Sequence, residues 1–72
     1  MVDFSAEVTG RRIRELRRDM GMSQRVLAER AGVKQNTVAQ YEKGTARPSL
    51  EVLVKLAEIF QTTTDYLLGL TD

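Results

Sequence analysis

The sequence predicts an all-α fold, a single compact domain of five helices, and three observations carry that expectation. Apolar residues recur at helical spacing, as at Ile13, Leu16 and Met20, and again at Leu53, Leu56, Ala57 and Phe60. Between such stripes lie stop and start signals, with Gly21 ahead of Ser23 and Gly44 ahead of Ser49. The 72 residues include no cysteine and no histidine, which excludes disulfides and the usual zinc, iron and copper ligand sets. A chain this short must then be held by a small core alone, and compact helix packing achieves that better than a sandwich.

The first helix is expected from Ser5 or Glu7 to about Met20. Ile13, Leu16 and Met20 form its core stripe, Gly21 stops it, and Arg11, Arg14 and Arg18 fall on the opposite face. Arg12 and Arg17 flank the stripe. Ser23 caps a second helix, Gln24 to about Ala31, whose apolar side is Val26, Leu27 and Ala31 and whose end is Gly32. Val33 plugs the turn into a third helix, about Gln35 to Lys43, with Val38 and Tyr41 inward and Gly44 as its stop. Asn36, Gln40 and Lys43 form one exposed polar row on it. After a loop from Thr45 to Pro48, Ser49 caps a fourth helix, Leu50 to about Phe60. Leu50, Leu53, Val54, Leu56, Ala57 and Phe60 make that helix the most apolar and suit it to the centre of the bundle. Thr63 caps a short last helix, Asp65 to Leu68, with Asp65 favoured by the helix dipole. The domain is expected over residues 5–70, with 1–4 and 71–72 frayed.

No apolar run approaches the roughly 20 residues of a membrane span, and the N-terminus lacks the apolar stretch of a signal peptide, so a cytoplasmic chain is expected. Net charge is only +1, but its distribution is uneven. Residues 1–47 carry ten Lys/Arg against six Asp/Glu, or +4, and residues 48–72 carry one against four, or −3. A basic front and an acidic back orient an approach to a polyanion, although a mixed solvated surface reads the same way by charge alone. Neither a metal set nor a nucleophile–base pair is present, and no cofactor or enzymatic activity is expected.

The second and third helices carry the chemistry. Ala28, Gly32 and Val38 supply the small residue, the turn and the apolar anchor that two steeply crossing helices need. Gln35, Asn36, Thr37 and Gln40 are side chains that hydrogen-bond to base edges and phosphates. Alone they read first as an ordinary polar helix surface; with the turn beside them they form a helix-turn-helix for double-stranded DNA.

Six motifs then appear in order: S-Q-x-x-L-A at Ser23–Ala28, A-G-V at Ala31–Val33, Y-E-x-G at Tyr41–Gly44, R-P-S at Arg47–Ser49, L-x-x-L-A at Leu53–Ala57 and D-Y-L-L-G at Asp65–Gly69. Together they resemble the phage-repressor/Cro-type helix-turn-helix (XRE) family of bacterial regulators, over about Arg12 to Gly69. The resemblance implies a lambda-repressor-like domain whose third helix lies in the major groove, with Gln35, Asn36, Thr37 and Gln40 reading bases. It implies phosphate contacts from Gln24, Lys43 and Thr45, and Arg12 is added beside the groove, with solvated helix surface as the alternative. It also implies a partly buried salt bridge between Arg17 and Glu42.

Two positions depart from the family pattern. Lys34 stands where Ser or Thr usually caps the third helix, and it neither accepts the cap bond nor suits the dipole, a cost of about 1 kcal/mol. A phosphate or guanine edge in front of Lys34 accounts for its presence. Arg25-Val26 replaces commonly acidic residues, which reduces repulsion of DNA. Arg47 is either a structural clip or a minor-groove contact, and Leu67, Leu68 and Leu70 either cover the fourth helix or form a dimer contact. The function expected is sequence-specific regulation of transcription, as a repressor binding a pseudo-palindromic operator as a homodimer, at least on DNA. The rival readings are an antitoxin-like module with a protein partner and a restriction–modification controller.

Overall fold

The computed structural model describes residues 4–72, and in it the chain forms five α-helices and no strand among those residues. They are α1 (Ala6–Asp19), α2 (Gln24–Ala31), α3 (Gln35–Lys43), α4 (Leu50–Phe60) and α5 (Thr64–Leu68). Four of the five starts use the same device: the hydroxyls of Ser5, Ser23, Ser49 and Thr63 accept from the backbone N–H three residues on. Lys34 heads α3 with no side-chain cap bond, as its chemistry dictates. The helix ends are left-handed turns, with Gly32 at φ 73° after α2 and Gly44 at φ 79° after α3.

α3 packs against both α1 and α2, α5 closes against α1, and α4 bridges α2 and α5. The core between them is Ile13, Leu27, Val38, Leu56 and Leu67, all fully buried, with Tyr41, Leu53 and Phe60 around them. The radius of gyration, 10.9 Å, matches the ~11 Å of a compact chain this long. Gly10 fixes the α1–α3 spacing. A Cβ there would lie 2.1 Å from the Tyr41 carbonyl oxygen, so the two backbones approach more closely than any other residue permits.

Three core expectations are corrected. Met20 is 46 % exposed, because the helix ends at Asp19 and turns it outward; Met22, after the turn, is buried in its stead. Leu50 is 75 % exposed, since it occupies the first turn of α4, beyond the helices that cover Leu53 and Leu56. Val54, next to Leu53, is turned about 100° off the buried stripe and is also exposed. Leu67 is buried, while Leu68 lines an open groove of about 240 Å³ with Phe4, Pro48, Leu50 and Leu53. Of the residues expected to fray at 1–4, residues 1–3 lie outside the described residues and Phe4 is exposed; at the other end Arg12 Nη1 donates to the Thr71 carbonyl at 2.6 Å.

Candidate nucleic-acid interface

The geometry of α3 separates its two faces. Val38 is fully buried, Tyr41 and Glu42 nearly so, while Gln35, Asn36, Gln40 and Lys43 are exposed and Thr37 is half-buried. Val38 and Tyr41, three residues apart, anchor one side, and the amides project from the other. Lys34 and Lys43 stand at the two ends of the exposed row, and the carboxylate of Glu42 is turned away from it. The outward side of the helix thus presents amides that both donate and accept, between two ammonium groups, and the one carboxylate of α3 lies on its other side. Amide side chains are of the kind that can pair bidentately with adenine N6 and N7, and ammonium groups of the kind that can neutralise phosphates.

Glu42 anchors α3 from behind. Its Oε2 accepts from Arg17 Nε at 2.6 Å and its Oε1 from Arg17 Nη2 at 3.0 Å. Arg17 Nη1 reaches the Met22 carbonyl at 2.9 Å, joining the turn after α1 to the same cluster. Arg14 adds a second cation, 3.8 Å from Glu42 Oε1, and donates to the Glu42 carbonyl at 3.3 Å. Burial pushes the Glu42 carboxyl up, but the bonds from Arg17 and Gln24 and the two positive charges outweigh it and hold the group below the ordinary 4.5. The bond to Glu42 raises the Arg17 pKa against the opposing effect of burial. Tyr41 is raised by burial alone.

The other residues expected to touch DNA divide into two groups. Lys34 and Lys43 are exposed and border the α3 row. Gln24, in the first turn of α2, is half-buried and donates from Nε2 to Glu42 Oε1 at 3.2 Å. Thr45 is tied to the end of α3, its N–H and its hydroxyl both donating to the Gln40 carbonyl. Arg12 is not brought to the α3 row. Its guanidinium lies 4.2 Å over the Tyr66 ring and donates to the Tyr66 and Thr71 carbonyls, on the α1–α5 seam. That side chain is committed to structure. The carbonyls at the end of α5 attract a cation, a signal legible in the sequence only once α1 and α5 are known to be neighbours. Arg47 is exposed and makes no hydrogen bond or ion pair among the described residues, so the clip to the helix ends is not formed. Arg14, on the face of α1 opposite the apolar stripe, joins the Glu42 cluster.

The helix-turn-helix family model matches residues 13–67. The chain is 47 % identical over 58 residues to the HTH-type transcriptional regulator AnsR of Bacillus subtilis (strain 168), covering 81 % of this chain and 50 % of that protein. It is 35 % identical over 60 residues to the HTH-type transcriptional regulator ImmR of the same organism, covering 83 % of this chain and 47 % of that protein. The chain therefore spans about half the length of these curated relatives. Among solved structures it is similar to the P22 c2 repressor in complex with a synthetic operator, with TM-score 0.82 and 33 % identity over 85 % of this chain and 92 % of that one. It is also similar to the restriction–modification controller protein C.AhdI from Aeromonas hydrophila, with TM-score 0.79 and 34 % identity over 86 % and 94 % of the two chains.

Proposed function

The chain belongs to the helix-turn-helix family, of the phage-repressor/Cro type, and from that premise we propose that it binds double-stranded DNA sequence-specifically to regulate transcription, as a repressor. The observation that carries this reading is the outward row of α3: Gln35, Asn36 and Gln40 exposed between Lys34 and Lys43, on a helix whose back is pinned by Val38, Tyr41 and Glu42. In this reading α3 enters the major groove and its amides discriminate bases, each good bidentate pair contributing roughly 1–3 kcal/mol. Lys34, Lys43 and Gln24 meet phosphates, and Thr45 meets the backbone through the turn it stabilises. A homodimer on a pseudo-palindromic operator, with half-sites about one helical turn apart, follows from the way such domains dock. Occlusion of polymerase is then the regulatory step.

The test is selection from a random duplex library, with wild type and the Gln35→Ala/Gln40→Ala variant in parallel. An inverted repeat enriched by the wild type and lost or relaxed in the variant is expected. Recovery of no motif, with only weak salt-sensitive binding, overturns the reading and points to a protein partner.

A further inference from the structure

Glu42 belongs to α3, yet its side chain is 3 % exposed and is out of reach of a duplex lying along the outer row. Its carboxylate nevertheless takes a third bond beyond the two from Arg17, from the Nε2 of Gln24 on a different helix. Charge balance does not call for that bond, because Arg17 is already bidentate and Arg14 lies 3.8 Å away. Its effect is on Gln24. A carboxylate accepts and never donates, so the amide is held with nitrogen inward and one N–H engaged, which leaves Oε1 and the second N–H on the half-exposed side. A glutamine free at a helix start samples several rotamers, and ordering it on binding costs entropy. Here the order is already present in the free chain.

We propose that Glu42 is a positioning residue for DNA: it holds the Gln24 amide in one attitude at the start of α2, so that the phosphate contact is made by a side chain already ordered. The proposal rests on the preceding reading, in which Gln24 meets a phosphate. The competing account makes the bond only a stitch between α2 and α3. The two differ in what happens when Gln24 is absent.

The experiment is a double-mutant cycle on the enriched operator duplex, read by fluorescence anisotropy. Arg17→Met/Glu42→Met removes the acceptor and both charges of the ion pair, which leaves the net charge unchanged. Exchanging both partners of a buried pair for apolar side chains of similar length is tolerated by folds, and thermal melting checks it here. That double substitution is expected to weaken binding about tenfold when Gln24 is present and to change little in a Gln24→Ala background. Equal losses in both backgrounds overturn the positioning role. Should the double substitution fail to fold, the wild-type chain gives a second readout from the side-chain amide resonances of Gln24. They are expected to respond as Glu42 protonates in acid; when duplex is added, the N–H that faces Glu42 is expected to keep its shift while the outward one moves. No acid response, or a Gln24 amide rearranged on the duplex, overturns the proposal equally. Failure of the wild type to select an operator is a different result, and it counts against the DNA reading itself.

Discussion

At the scale of the residue, Glu42 and Lys34 make opposite contributions to stability. Glu42 is ionised and paired, with its folded pKa below the ordinary 4.5. Such a group stabilises the fold fully above its unfolded pKa, and the contribution is lost as pH falls through the folded value. Urea midpoints are therefore expected to fall on acidification below 4.5, and the Arg17→Met/Glu42→Met variant should show a flatter profile there. Removing one partner alone is more damaging: Arg17→Ala leaves a carboxylate buried without its bidentate ion pair and should cost about 3 kcal/mol in equilibrium unfolding. Lys34 is the reverse case. It stands at an N-cap it cannot serve, so Lys34→Thr should raise stability by about 1 kcal/mol in the same measurement. If Lys34 meets DNA, that variant will bind more weakly while melting higher.

At the scale of the element, the α1–α3 contact decides where the outward row of α3 stands. Gly10 lies inside α1, and replacing it by alanine gains about 1 kcal/mol of helix propensity. The added carbon meets the Tyr41 carbonyl oxygen at 2.1 Å, which forces the helices apart. Overpacking against backbone of this kind costs up to about 3 kcal/mol, so the net expectation for Gly10→Ala is a loss of roughly 2 kcal/mol by thermal or urea unfolding. An unchanged or higher melting temperature would show that α1 can shift freely. How far the elements were legible follows from the same physics. Caps and stops act over three or four residues, and Ser23, Ser49, Thr63, Gly32 and Gly44 mark the helix ends from sequence alone. Which apolar residue is covered depends on where a neighbouring helix stops, and that is not local information. Leu50 looks like core and is exposed for that reason, Met20 is exposed because its own helix ends one residue before it, and Gly10 gives no sign of what it faces. Arg12 is the same kind of case: its partners are 54 and 59 residues away.

At the scale of the whole molecule, the net charge of +1 divides along the chain into +4 over residues 1–47 and −3 over residues 48–72, and the basic stretch contains α3. Binding that depends on this asymmetry must release counterions, so its affinity should fall steeply with salt. Lys43→Ala is expected to reduce the slope of log affinity against log salt by about 1 on any duplex, without changing which sequence is preferred. Gln40→Ala should do the converse, altering preference and leaving the slope alone. Anisotropy titrations at several salt concentrations separate the two, and a Lys43 variant with an unchanged slope would remove it from the interface.

The division of α3 into an anchored face and an outward one has a consequence for how such a chain diversifies. Val38 and Tyr41 answer to the core, whereas Gln35, Asn36 and Gln40 are exposed and, in the proposed reading, answer to the DNA. Mutational drift at those three positions therefore passes through folded intermediates at every step. A duplicated copy could acquire a new target without first losing its structure, and its ancestor's target would be erased by the same few changes.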